Sequence, residues 1–125
     1  MKRAKTGFLP SVRNDIYTPE ACFQRQIRIR LALAAYAYEF ESDPILSDAD
    51  FDAMSLMVDA SIDTGAPDLD FFFSEEFNPS TGQWVHQHPE LDNVRRLYRY
   101  LKSIGVTKLS VIKALAPDEE NPYDI

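Results

Sequence analysis

Two aromatic rings and two carboxylates stand around one short turn. Tyr38 precedes Ser42-Asp43-Pro44, and Phe51 follows it. Asp48 and Asp52 are four residues apart, so a helix there stacks them on one face beside Phe51. Two ring faces plus two acids form a slot for a flat, cationic ring, which is drawn by the π-faces and by the carboxylates. The same residues also have a plain architectural use. Tyr38 and Phe51 can clamp the turn, while Asp48 and Asp50 favour the positive end of a helix. From these residues alone both uses stay open, and the clamp is the commoner one.

Little else in the chain has the pattern of a catalyst. His86 and His88 are one residue apart, near Asp68, Asp70 and Glu90, but no spacing supplies a third metal ligand, so no metal is expected. There is no glycine-rich phosphate loop, no Gly-x-Ser-x-Gly and no zinc spacing. Cys22 is the single cysteine and reads as a small buried residue early in a helix. Arg95, Arg99 and Lys102, with Arg96 beside them and Tyr98 and Tyr100 between, make a basic stripe. Phosphate binding uses such a composition, yet an ordinary solvated helix face has it too, and direct nucleic-acid binding is not expected.

The elements that must position these residues are mostly helical. Thr18 caps, Pro19 suits the first helical position, and Glu20 sits at the positive end of the dipole. Phe23, Ile27, Leu31, Ala34 and Tyr38 then recur at helical spacing, with Ile29, Leu33, Tyr36 and Phe40 as a second row. The apolar face is wide, so this helix is predicted to be central. Ile27, Ile29, Leu31 and Leu33 also alternate as a strand would, but the cap and the alanines at 32, 34, 35 and 37 decide for helix.

Ser42-Asp43-Pro44 ends this helix. Ser47 opens a second one, with Phe51, Met54, Val58 and Ile62 inward and a stop at Thr64-Gly65 before Pro67. Residues 66–88 read as a long aromatic-rich loop lying over the helices as a lid. One short helix is expected around Ser74–Phe77, and a hairpin at Pro79–Gly82 is the weaker alternative. A third helix is predicted from about Pro89 to Ile104, ended by Gly105, and a short fourth from Thr107 to Leu115. The fold class is thus all-α, three to four helices around a central helix–turn–helix hairpin, Tyr36–Met57. Residues 1–17 read as a loosely ordered basic arm whose Phe8 and Leu9 can dock on the body. Residues 18–116 form the single domain, and 117–125 an acidic, frayed tail.

Charge is unevenly placed. Residues 1–30 hold seven Lys/Arg and two acids, residues 31–92 hold fourteen acids and no Lys or Arg, and residues 93–113 hold six Lys/Arg and no acid. Either these segments neutralise one another when the helices pack, which is favoured, or they form a bipolar surface for a charged partner. At 125 residues the chain is long enough for one core. It has no apolar run of membrane-spanning length and no secretory leader, which points to the cytoplasm and to no membrane partner.

The hairpin resembles the N-terminal helical subdomain of bacterial NAD-dependent DNA ligases. Tyr36-Ala37-Tyr38 matches the tyrosines that end its first helix. Pro44 and Ser47-Asp48-Ala49-Asp50-Phe51-Asp52 match the block that opens the next, without a gap. His88-Pro89-Glu90-Leu91 echoes a string found nearer the hairpin in that family. The resemblance covers about twenty residues. It implies binding of the nicotinamide mononucleotide (NMN) half of NAD, with Tyr38, Glu39, Asp48, Phe51 and Asp52 at the cofactor positions.

Two of these positions depart from the family. Glu39 stands where it has a histidine, placing negative charge where a phosphate would lie, and Phe51 replaces a tyrosine and loses the hydroxyl. No Lys-x-Asp-Gly nucleophile is present, so ligation by these residues alone is excluded. Two functions follow as expectations. One is a relative of the ligase subdomain that binds NAD or NMN or assists a separate partner. The other is a non-catalytic interaction module, with its interface at Phe71–Trp84 or at the Arg95/Arg99/Lys102 face.

Overall fold

The computed structural model describes residues 17–112. The arm before Tyr17, with Phe8 and Leu9, lies outside these residues, as do residues 113–116 and the tail 117–125. Four helices and one 3-10 turn make up the described residues, with no strand: α1 (Pro19–Glu41), α2 (Asp48–Ser55), α3 (Pro67–Glu75), the 3-10 turn Gln83–Gln87 and α4 (Leu91–Ser103). The fold is an all-α bundle, and among these residues no helix is long and apolar enough to cross a membrane.

Helix α1 begins as its sequence dictates. The Thr18 side chain accepts the Ala21 N–H at 3.1 Å, and Pro19 takes the first helical position. Its apolar residues are spread widely enough that the other elements pack around it. Ala21, Ile27, Leu31 and Ala37 are fully buried. The strand alternative fails because Ile27, Leu31 and Leu33 are buried while Ile29 is 47% exposed. The helix ends where Ser42 turns left-handed, at φ 53°, and the Ser42 and Asp43 N–H groups both reach the Ala37 carbonyl. Pro44 prevents any continuation.

Helix α2 starts at its Ser47 cap, whose hydroxyl oxygen accepts the Asp50 N–H at 3.1 Å. It is shorter than the predicted face through Ile62. Two buried polar side chains of α1 claim the backbone that would have continued it. Gln24 donates to the Met57 carbonyl at 2.9 Å and accepts from the Asp59 N–H at 2.9 Å, and Arg28 donates to the Asp59 carbonyl at 2.9 Å. Once satisfied in this way, the backbone at 57–59 has no need of a helical ladder.

The aromatic segment is the main correction to the sequence reading. Instead of a loop with a short helix at Ser74–Phe77, it folds into α3, a turn at Asn78–Thr81, and the 3-10 turn. Pro67 at the first helical position, with Asp68 and Asp70 behind it, is a start signal. No hairpin forms at Pro79–Gly82, because Asn78 holds Ser80 N–H and hydroxyl through its own side chain. Nor is the segment a lid. Phe72, Phe73 and Trp84 are at most 4% exposed and form one ring cluster with Phe77, with centroids 5.1–6.1 Å apart. Phe71 alone of the triplet faces solvent, at 67% exposure.

Helix α4 packs Val94 and Tyr98 inward and ends before Gly105, at φ 91°. The predicted fourth helix from Thr107 is absent through Ile112, and the remainder of that prediction lies outside the described residues. Long-range partners hold this stretch in a non-helical path. Leu109 N–H donates to the Ile45 carbonyl at 2.9 Å, Lys108 donates to the Pro44 carbonyl, and Arg30 donates to Ser110.

Candidate functional site

The turn between α1 and α2 opens onto a cleft of about 390 Å³. One wall is α1, with Ala34, Ala35, Tyr38 and Glu39. The opposite wall is Pro44, Leu46 and the first turns of α2, with Asp48, Phe51 and Asp52. The loop residues Ser80–Gln83 close the third side. All five cofactor positions named from the sequence therefore line one cleft. Tyr38 is 64% exposed, so its ring is available to a ligand; it is not the inward residue its helical row predicted.

Sequence reading missed the third wall. Asn78-Pro79-Ser80-Thr81-Gly82 signals a turn, but nothing in it says that the turn lies against α1. The contact depends on small residues. A Cβ placed on Gly82 would lie 3.3 Å from the Ala35 Cβ and 3.5 Å from the Phe51 ring. Gly82→Val is therefore expected to destabilise the protein by about 1–3 kcal/mol through overpacking and to push the loop off the cleft. A thermal melt checks the stability and a ligand titration the cleft.

Electrostatically the cleft is acidic. Glu39, Asp48 and Asp52 line it, and no Lys or Arg does among the described residues. Asp48 sits in the first turn of α2, at the positive end of the helix dipole. Glu39 meets His86 of the 3-10 turn, Nε2 to Oε1 at 2.9 Å, and the imidazole packs 4.6 Å from the Phe40 ring. An imidazole is thus brought beside position 39 from a distant part of the chain. His88 goes elsewhere: its Nδ1 accepts the Glu90 N–H and its ring lies 5.2 Å from Phe72. The two histidines share no site, and no group of three or more His, Cys, Asp or Glu that could hold a metal occurs among the described residues.

The basic stripe of α4 is largely engaged within the fold. Arg95 pairs with Asp92 at 2.8 Å and lies 5.7 Å over the Tyr36 ring, Arg96 reaches Asn93, and Lys102 pairs with Asp43 at 2.9 Å. Together with Arg28–Asp70 at 2.7 Å, the Lys102–Asp43 pair joins basic segments to the acidic middle of the chain.

Asp43 is held below the usual carboxylate range by the Lys102 ammonium and then by the Tyr98 hydroxyl, which donates to it at 2.7 Å. Burial and that bond to the carboxylate push the Tyr98 phenol up to about 12. The folded value exceeds the unfolded one, so this contribution to stability is complete below pH about 10 and is lost as pH rises toward 12. An absorbance titration is expected to show a late tyrosine ionisation near pH 12, and Tyr98→Phe is expected to diminish that late step.

A second depression, about 240 Å³ and mainly apolar, lies between α1, α3 and α4, lined among others by Ile29, Leu33, Leu69, Phe73 and Leu97. Its polar edge is Arg25, Arg28, Thr64, His88, Glu90 and Asn93. Burial lowers the pKa of His88, with Glu90 opposing. Comparison with protein-family models, with curated proteins and with solved structures finds no match for the chain.

Proposed function

We propose that the α1–α2 cleft binds the nicotinamide ring of NMN or NAD, and that the protein is a variant of the N-terminal helical subdomain of NAD-dependent DNA ligases acting beside a separate partner in the cytoplasm. The supporting observation is that Tyr38, Glu39, Asp48, Phe51 and Asp52 converge on one cleft. A nicotinamide ring in its oxidised form is flat and cationic. Ring faces attract it, and the carboxylates compensate its charge. These 125 residues hold no Lys-x-Asp-Gly motif, so the part proposed for them is binding of the ring.

Titration calorimetry with NMN and NAD tests this reading. Saturable binding that Tyr38→Ala and Asp52→Ala each weaken by about tenfold or more is the expected result. Absence of binding at millimolar ligand rejects it. A second reading, an interaction module that keeps the hairpin as scaffold, draws on the apolar depression between α1, α3 and α4. That depression touches the anticipated Phe71–Trp84 segment through Phe73, while its α4 wall is Val94 and Leu97 with Asn93 rather than the Arg95/Arg99/Lys102 face. Ligand-independent function of a Tyr38→Ala variant favours this second reading.

A further inference from the structure

Resting on the cleft reading above, we infer that the site prefers the cationic ring without its phosphate: a phosphate-free N-substituted pyridinium such as nicotinamide riboside, ahead of the mononucleotide or dinucleotide. Every charged side chain that lines the cleft is acidic. Glu39 comes from α1, Asp48 and Asp52 from α2, and the third wall, Ser80–Gln83, carries no charge. His86 meets only Glu39 of the three carboxylates among the described residues, and does so from outside the lining set.

One cation approaches the neighbouring surface. Lys108 donates to the Pro44 carbonyl, but it lies in an adjoining depression with Asp48 and Asp50, whose two carboxylates outweigh its single charge. A ring cation in the cleft gains from all of these acids. A phosphate attached to the same ligand meets them as like charges at short range, where screening by salt is weakest. The ribose, by contrast, meets polar uncharged groups at Ser80, Thr81 and Gln83, which suit sugar hydroxyls.

Titration calorimetry on the full chain tests the preference, with nicotinamide riboside, N-methylnicotinamide, NMN and neutral nicotinamide as separate ligands in low-salt buffer. The riboside is expected to bind about tenfold tighter than NMN, with neutral nicotinamide weakest. Glu39→Gln and Asp48→Asn should narrow the riboside-to-NMN ratio, whereas Tyr38→Ala should weaken both ligands and leave the ratio unchanged. NMN binding as tightly as the riboside, or a ratio unmoved by Glu39→Gln and Asp48→Asn, overturns the preference while leaving the nicotinamide site standing. No binding by any of the four removes the site itself.

Discussion

Replacing Arg28 with alanine is expected to destabilise the protein by about 3 kcal/mol, a fall in Tm on the order of 15 °C for a domain of this size. Arg28 is 5% exposed in the middle of α1. One guanidinium nitrogen donates to Asp70 at 2.7 Å and the other to the Asp59 carbonyl at 2.9 Å, while the plane lies 5.2 Å from the Phe73 ring. Asp70 in turn accepts the Thr64 N–H and hydroxyl. One side chain thus ties α1 to α3 and to the segment after α2. Its removal leaves a partly buried carboxylate without its countercharge and a carbonyl without a donor. The Nε of Arg28 is buried with no partner even in the intact protein, so the pair is not optimal. The double replacement Arg28→Met with Asp70→Leu is accordingly expected to recover much of the loss. Chemical denaturation of the single and double variants measures the difference.

Met54→Ala is expected to destabilise by about 2–5 kcal/mol and to weaken ligand binding at the cleft. Met54 is fully buried, and it is the large apolar anchor of α2, whose only other buried residue is Ser55. A helix of eight residues has little stability of its own and depends on such packing. With the anchor cut back, the wall that carries Asp48, Phe51 and Asp52 loses its seat on α1. Leu56→Ala, on a side chain 78% exposed at the end of the same helix, serves as the contrast, and little change is expected from it. Circular dichroism melts of both variants, followed by titration, separate loss of fold from loss of site.

The hairpin was legible in the sequence because its signals are local. Thr18-Pro19, Ser42-Asp43-Pro44 and the Ser47 cap each act within a few residues, and each boundary appears where the local chemistry puts it. Where long-range bonds decide, reading one residue type at a time fails. Gln24 and Arg28 end α2 from more than thirty residues away, and Ile45, Pro44 and Arg30 hold residues 107–112 out of a helix.

The aromatic segment departs from its sequence expectation for another reason. Its density of rings suggested a cover, whereas Phe72, Phe73 and Trp84 are the core that α3 and the 3-10 turn bring to α1. The local signal for α3 is Pro67 at its first position with Asp68 and Asp70 in its first turn. Of the cleft, the two walls built on the hairpin were visible in the spacing of Tyr38, Asp48, Phe51 and Asp52. The Gly82 wall and the His86–Glu39 contact depend on where a distant turn lands, which no local pattern encodes.

A nicotinamide ring seated in the α1–α2 cleft, as proposed, would contact residues from all three of its walls. Amide chemical-shift mapping of the isotope-labelled protein, titrated with nicotinamide riboside and with NMN, tests this placement most directly. Saturable shifts concentrated at Tyr38, Phe51, Asp52, Gly82 and Gln83, which line the cleft, are expected. Shifts centred instead on Leu69, Val94 and Leu97, around the apolar depression on the other side of α1, or no shifts at millimolar ligand, would contradict this placement.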